Sequence, residues 1–341
     1  MKVSVSLLTY NHAAYIRQAI ESVLMQATNF DFELLIGEDE SSDGTREIVK
    51  EYAARHPDKI RAFLNERKNV IYVNGRPTSR ANSVNNLRNC RGQYVALMDG
   101  DDYWTSPHKL QRLADHLDAH PDESLCFHAS QVAREGDTSA PPSPRPARKP
   151  VYTLAELIAG KIVPLTSSVM FRNGCFGEFP EWYYRVRFGD LPLYVLCAQH
   201  GNVGFLNECL GVYRIHQGGL WSLGETGNKD PKAERSFANR RDLFTDAIES
   251  WQIINAAMGR EYDRCFRQRV AGLHYDLAWL YQCRGDWRQM RHHLLQAAGM
   301  HAFPPNISGG YVWKAWLIAF CSPLYRAYQS WKTGGRLKMA V

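Results

Sequence analysis

Tyr94-Val-Ala-Leu-Met-Asp-Gly-Asp-Asp-Tyr-Trp104 is the stretch on which the reading of this chain turns. Tyr94 to Met98 has the unbroken apolar character of a buried parallel strand, and Asp99, Asp101 and Asp102 crowd the four positions that follow. Like charges at that spacing repel one another unless something positive sits among them. A hard divalent cation answers that need. Mg²⁺ or Mn²⁺ takes oxygen ligands, and Mg²⁺ typically keeps one or two protein carboxylates and fills its shell with substrate phosphate oxygens. The stretch therefore points to a metal-bound diphosphate. Carboxylates that only cap the next helix or stay solvated would look the same in isolation, so the flanking sequence has to decide.

Toward the N-terminus, Val3 to Leu8 reads as a strand ending in Thr9-Tyr10-Asn11, and Ile16, Ile20, Val23 and Leu24 follow at helical spacing. The pattern repeats with a strand from Phe30 to Ile36, the acidic turn Gly37 to Gly44, and a helix burying Ile48, Val49 and Tyr52. A third strand is predicted at Ile60 to Leu64. Alternating strand and helix imply an α/β fold with a mostly parallel sheet, whose ligands bind beyond the carboxyl ends of the strands. Thr9, Tyr10, Asn11, Asp39 and the Asp99 cluster would meet there. Ser42 and Asp43 have the chemistry of helix caps, whereas Asp39 is expected to be free for a base or ribose. The irregular polar segment up to Asn89 carries Arg80 and Asn82. They would suit a diphosphate, although a solvated helix face uses the same residue types.

Toward the C-terminus, Ser106-Pro107 starts a helix that continues through Leu110, Leu113 and Leu117. A short strand is expected at Leu125 to His128. Residues 134 to 150 hold five prolines among alternating charges and read as a flexible insert, either a plain surface loop or a lid over an acceptor. Strand character returns at Leu165 to Phe171. Asp190 opens a helix, as a cap or as a catalytic carboxylate, and strands are expected at Val203 to Leu206 and Leu210 to Arg214. A glycine-rich loop then carries His216. From about residue 226 the pattern is helical, with a hairpin over His274 to Ala298 that resembles a single tetratricopeptide-like unit without a second copy.

Composition narrows the classes. The 341 residues are 45% hydrophobic and 22% charged, an ordinary globular balance of about two domains. The net charge of +6 collects at the C-terminal end, because no acidic residue follows Asp286. That acid-free, Trp-rich end suits either a packing helix or an anionic membrane surface, and no nucleic-acid partner is expected. Eight cysteines form no CxxC pair, so neither a zinc motif nor a disulfide framework is indicated and a reduced, cytoplasmic setting is expected. The N-terminal apolar run is shorter than a signal peptide requires, and no stretch approaches the ~20 apolar residues of a membrane-spanning helix.

Four motifs in order, Ser6-Leu-Leu-Thr-Tyr-Asn-His12, Gly37-Glu-Asp-Glu-Ser-Ser-Asp-Gly-Thr45, Leu97-Met-Asp-Gly-Asp-Asp-Tyr-Trp104, and Gly189-Asp190 with Tyr213-Arg-Ile-His-Gln-Gly-Gly219, resemble the family 2 glycosyltransferases of bacterial surface-polysaccharide assembly. The resemblance spans about residues 1 to 222 and implies a GT-A domain over 1–225, followed by a helical region over 226–341. It implies an inverting enzyme that takes a sugar from a nucleoside diphosphate, UDP favoured, to a glycan or lipid-linked acceptor, at the cytoplasmic face of the inner membrane. Thr9, Tyr10, Asn11, Asp39, Arg80, Asn82, Asp99 and Asp101 would bind the nucleotide, and Asp190 would be the base. Mn²⁺ or Mg²⁺ would be held by Asp101, Asp102 and His216, with Asp101 and Asp102 preferred over Asp99 because they lie furthest past the strand. The family's Glu-Asp pair is Gly189-Asp190 here, so its first carboxylate is missing. A sugar-1-phosphate nucleotidyltransferase would need a glycine-rich phosphate loop where Thr9-Tyr-Asn-His-Ala-Ala stands, and a non-catalytic scaffold would not require Asp101, Asp102 and Asp190.

Overall fold

The computed structural model describes residues 1–134, 143, 149–216, 234–305 and 307–320. They fall into two compact units, one within 1–157 and 162–222, the other within 158–161 and 223–341.

In the first unit β1 (Val3–Thr9), α1 (Ile16–Leu24), β2 (Phe32–Glu38), α2 (Thr45–Arg55) and β3 (Ile60–Leu64) alternate as the apolar periodicity predicts. A small ribbon of β4 (Tyr72–Val73) and β5 (Arg76–Pro77) then turns through Asn74-Gly75, both at positive φ, as tight hairpins require. The polar segment before Asn89 is not irregular throughout: it ends in α3 (Arg80–Asn89), which leads into β6 (Tyr94–Asp99). Next come β7 (Tyr103–Trp104), α4 (Lys109–Ala119), β8 (Glu123–Arg134), β9 (Val151–Tyr152), α5 (Leu154–Ile158), β10 (Val169–Arg172), α6 (Asp190–Ala198) and β11 (Asn202–Ile215). The insert expected at 134–150 lies almost wholly outside the described residues.

The sheet runs β3-β2-β1-β6-β10-β8-β11-β7, with β9 also on β11. Its first four strands are parallel, β10 is antiparallel to both β6 and β8, and β8 and β11 run parallel. The chain moves outward from β1 to β2 and β3, then returns to place β6 on the other side of β1. This reversal opens the crevice that α/β sheets use for ligands. It lies at the ends of β1 and β6, where Leu8 stands opposite Asp99. Ile16, Ile20 and Val23 of α1, with Leu110, Leu113 and Leu117 of α4, join Val3, Val5 and Leu7 of β1 in one buried cluster. Each such side chain contributes roughly 1.5–3 kcal/mol.

Four expected strands differ. Leu125 to His128 is the middle of a twelve-residue strand. The strand expected from Leu165 starts at Val169 because Thr166–Ser168 form a 3₁₀ turn. The two strands expected at 203–206 and 210–214 are one, β11, with register shifts between Leu206 and Cys209 and between Cys209 and Gly211. Such bulges bend a strand without ending it, and β11 thereby continues along β8 while also pairing with β7.

The second unit holds α7 (Glu234–Ala257), α8 (Asp263–Cys283), α9 (Trp287–Gly299) and α10 (Gly309–Phe320). Gly285 turns the chain between α8 and α9 at φ 72°, and the Asp286 carboxylate caps α9 by accepting from the Gln289 N–H at 3.0 Å. Ala271, Tyr275, Met290, Leu294, Ala315 and Ile318 make its core. Among the described residues no helix is long and apolar enough to cross a membrane. The aromatic and basic residues expected at 325–338 lie outside the described residues.

Candidate active site

The acidic turn after β6 is shaped by a close approach. A Cβ on Gly100 would lie 2.6 Å from the Thr9 hydroxyl and 2.9 Å from His12 Nδ1, so only glycine lets this turn pack on the end of β1. The Gly100 N–H donates to the Leu8 carbonyl at 2.8 Å. The chain then enters β7, which pairs with Gly211 and Val212 of β11. That pairing brings the end of β11, Tyr213 to His216, against the carboxylates 110 or so residues earlier.

The three carboxylates take three environments. Asp101 faces imidazoles: its Oδ2 is 3.0 Å from His216 Nε2 and 3.7 Å from His12 Nε2. Burial works against its charge, but the His216 hydrogen bond and the two rings outweigh it and hold Asp101 below the usual carboxylate range. Burial, opposed in part by Asp101, pulls His12 down, leaving a neutral ring with a lone pair. Asp99 stays partly exposed at the strand end, and burial together with Asp101 and Asp190 pushes it up to about 8. Asp102 has no exposed surface. Its Oδ2 accepts from the Ser167 hydroxyl at 2.6 Å and its Oδ1 from the Arg214 N–H at 2.9 Å, and burial followed by its two acidic neighbours drives it well up. Asp102, expected among the metal ligands, here ties β7 to β11 and the Thr166–Ser168 turn, whereas Asp101 is the carboxylate that meets the two imidazoles.

Asp190 begins α6, half-buried, after a loop fixed from below. One Arg80 nitrogen donates to the carbonyls of Val186 at 3.0 Å and Phe188 at 2.6 Å, its guanidinium lies 4.0 Å from the centre of the Tyr183 ring, and the Tyr183 hydroxyl donates to the Gly189 carbonyl at 3.1 Å. Arg80 is 2% exposed, and in place of the diphosphate expected of it the partners it shows are the Val186 and Phe188 carbonyls and the Tyr183 ring, with Nε and Nη1 unpaired. A Cβ at Gly189 would stand 2.8 Å from Arg80 Nη1; the guanidinium fills the space that the missing first carboxylate would need. Asn82, also expected at the diphosphate, is likewise buried, donating to the Gly37 carbonyl at 2.9 Å and accepting from Asn65. The charge of Asp190 contributes to the raised pKa of both Asp99 and the Tyr213 hydroxyl. That shared influence brings Asp190 into the same electrostatic neighbourhood as the end of β6.

On the β1–β2 side Asn11 adopts φ 54°, a value asparagine tolerates. It latches onto the acidic turn by accepting from the Ser42 N–H at 3.0 Å while its own N–H donates to Ser41. The cap position of α2 is Gly44 and not the expected Ser42 or Asp43; Asp43, one residue earlier, accepts from the N–H groups of Thr45 and Ala13 and so ties the helix start to the first loop. Asp39 is not free: Arg67 lies 3.0 Å from its Oδ2 and 4.3 Å from the centre of the exposed Tyr10 ring. Sequence reasoning missed Arg67, His12 and Arg214. His12 and Arg214 had a local signal, one three residues beyond Thr9 and the other two before His216 in the quoted motifs, whereas Arg67 had none.

Residues 4–171 match the family described as Glycosyl transferase family 2. The uncharacterized protein Rv1520 of Mycobacterium tuberculosis is 31% identical over 67% of this chain, and the chain spans 62% of that relative's length. Two solved structures share the fold. One is S. aureus TarS 1-349 in complex with UDP-GlcNAc (15% identity, TM-score 0.51, 100% of this chain and 94% of that chain). The other is the mannosyltransferase PcManGT from Pyrobaculum calidifontis in complex with GDP-Man and Mn²⁺ (18%, TM-score 0.55, 97% and 83%). The parallel sheet with its switch point, the order of the motifs and the match over residues 4–171 agree that this chain belongs to the family 2 glycosyltransferases and carries their GT-A fold.

Proposed function

We propose that this chain transfers a sugar from a nucleoside diphosphate, a UDP-sugar by preference, to a hydroxyl of a glycan or lipid-linked acceptor with inversion at the anomeric carbon. The observation that carries the reading is the meeting of Asp101, His216 and His12 at the end of β6, with the Asp190 charge felt by Asp99 beside them. The chemistry of the donors suits a divalent ion: an ionised carboxylate with one ring nitrogen of His216 and one of His12 at 3.0 and 3.7 Å from one of its oxygens. Asp101 and His216 would hold the ion, with His12 in support. When bound there, a divalent cation supplies charge neutralisation for the leaving diphosphate.

The rest falls to the chain. Thr9, Tyr10 and Asn11 line the nucleotide side, where the Asp39–Arg67 pair offers one acceptor and one cation to the base and ribose. Asp190, on the first turn of α6, removes the acceptor hydroxyl proton as that oxygen attacks from the face opposite the leaving group. Arg80 and Tyr183 keep the preceding loop in place. PcManGT is described with GDP-Man and TarS with UDP-GlcNAc, so the donor base is a question for experiment. In the helical unit Trp313 is 69% exposed on α10, and contact of this end with an anionic membrane at the cytoplasmic face belongs to the same proposal. Removing residues 306–341 should release the protein from anionic vesicles; equal retention contradicts that contact.

The test is nucleotide release from a panel of UDP-, GDP- and dTDP-sugars with Mn²⁺, Mg²⁺ or EDTA and a mixed glycan acceptor, in the intact chain and Asp190→Asn. Metal-dependent release from one donor, lost in the variant, supports the reading. Release that survives Asp190→Asn removes the base assignment.

A further inference from the structure

We propose that His116, His120 and Glu123 form a second metal site, suited to Zn²⁺ or a similar borderline transition ion, at the opposite edge of the sheet from the acidic turn. One ligand atom from each residue lies within 4.8 Å of the others, the only such group of three among the described residues. Two imidazoles and a carboxylate are a donor set that zinc accepts, with water in the fourth position.

The local chemistry builds this set in advance. His116 on α4 and His120 one residue past its end are four positions apart, so they share a helix face, and their rings stack with centroids 4.2 Å apart. His120 Nδ1 sits 2.8 Å from the His116 carbonyl and donates to it. The lone pair of that ring is thereby on Nε2, with the ring oriented by an outer partner, as metal-binding histidines commonly are. Glu123 opens β8 with 1% of its surface exposed, one carboxylate oxygen 2.7 Å from His116 Nε2. An ion pair with His116 would account for that burial, but not for the second ring folded back over the first with its outer nitrogen already engaged.

Two further features hold the arrangement. A Cβ at Gly204 on β11 would lie 1.8 Å from the Glu123 carboxylate and 2.7 Å from His116 Nε2, so a glycine there leaves the cradle these groups occupy. The turn between the histidines and the glutamate is fixed by Arg172, which donates to the carbonyls of Leu117 at 2.6 Å, His120 at 3.0 Å and Glu123 at 2.8 Å. The site is also remote from the acidic turn. Strands β8 and β6 are each antiparallel to β10 and so run the same way; Glu123 begins β8 whereas Asp99 ends β6. A metal at Glu123 would join the end of α4 to the start of β8, a stabilising role apart from the transfer reaction.

The experiment uses metal-stripped full-length protein carrying Asp101→Asn, which removes the other site, with Co²⁺ as the visible probe. One equivalent of Co²⁺ should bind with the intense visible bands of four-coordinate cobalt, Zn²⁺ should displace it, and Zn²⁺ should raise Tm. Adding His120→Ala, an exposed position that folding tolerates, should weaken Co²⁺ binding by more than about tenfold and remove the Tm shift. Glu123→Gln should do the same. Absence of saturable Co²⁺ uptake, or uptake unchanged by His120→Ala, overturns the proposal.

Discussion

The acidic end of β6 and the helical unit bury polar groups on opposite terms. At the sheet edge three carboxylates fall within four residues, and each has different partners: imidazoles for Asp101, a hydroxyl and a backbone N–H for Asp102, and for Asp99 two carboxylates that raise its pKa against one Thr166 hydrogen bond that lowers it. In the helical unit the core is small and apolar, and its polar groups include neutral rings: His274 and His293 meet Nδ1 to Nδ1 at 3.1 Å, and burial first, then neighbouring histidines, pushes each down to about 4. The first region accepts electrostatic crowding that a ligand could relieve. The second crowds neutral imidazoles instead and should respond to volume and to acid. Substitutions can therefore be ranked by which region they enter.

The largest effect is expected from Asp190→Asn, which keeps shape and removes the proton acceptor. Turnover should fall by about 10²–10⁴-fold with donor affinity little changed, as single-turnover kinetics and nucleotide titration would show; turnover near wild type would detach Asp190 from the reaction. Next comes the pair of neighbours in the acidic turn. Asp102→Asn puts an amide group opposite two donors and should cost about 1–3 kcal/mol of stability by denaturant titration. Asp101→Asn loses a charge that His216 and His12 favour but also relieves its push on Asp99 and Asp102, so its stability loss should be the smaller of the two. Equal losses in both would erase the distinction between the structural and the ligand-facing carboxylate. Arg80→Lys keeps the charge but loses the two-carbonyl grip. About tenfold lower turnover with unchanged nucleotide affinity is expected if the loop before Asp190 depends on it; a change confined to nucleotide affinity would return Arg80 to phosphate binding.

The smallest effect separates the two regions by pH. His274 and His293 protonate near 6.5 when unfolded but only near 4 when folded. As pH falls through that interval the unfolded chain binds more protons, so the stability present above pH 6.5 is lost toward pH 4. Hydrogen exchange of α8 and α9 should quicken between pH 6.5 and 4.5, with His274→Phe blunting the change. Exchange that ignores pH there would contradict the account of this core.

How much of this the sequence discloses follows the same division. Strand ends are written locally, in apolar runs followed by polar turns, so the pattern alone puts Thr9, Asn11, Asp99, Asp101, Asp190 and His216 at the ends or beginnings of elements that can share an edge. Burial of polar side chains is not written locally. Arg80 has the chemistry of a phosphate ligand, but its partners, Val186 and Phe188, lie more than a hundred residues away. Asp39 has no visible partner nearby in the chain because Arg67 arrives from beyond β3. Distance past the strand does not separate Asp101 from Asp102, since the turn that Gly100 permits aims the nearer one at the histidines and buries the farther one. In the helical unit the hairpin is legible from its glycine turn, whereas the His274–His293 contact depends on how two helices register.

The most direct test of the central claim, that the turn after β6 holds a metal–nucleotide pair through Asp101, is calorimetric titration of UDP and GDP with and without Mn²⁺ into wild type, Asp101→Asn and Asp190→Asn. The account predicts Mn²⁺-dependent binding of one nucleotide to wild type and Asp190→Asn, and its loss in Asp101→Asn. Nucleotide binding that is indifferent to Mn²⁺, or that survives unchanged in Asp101→Asn, would contradict it.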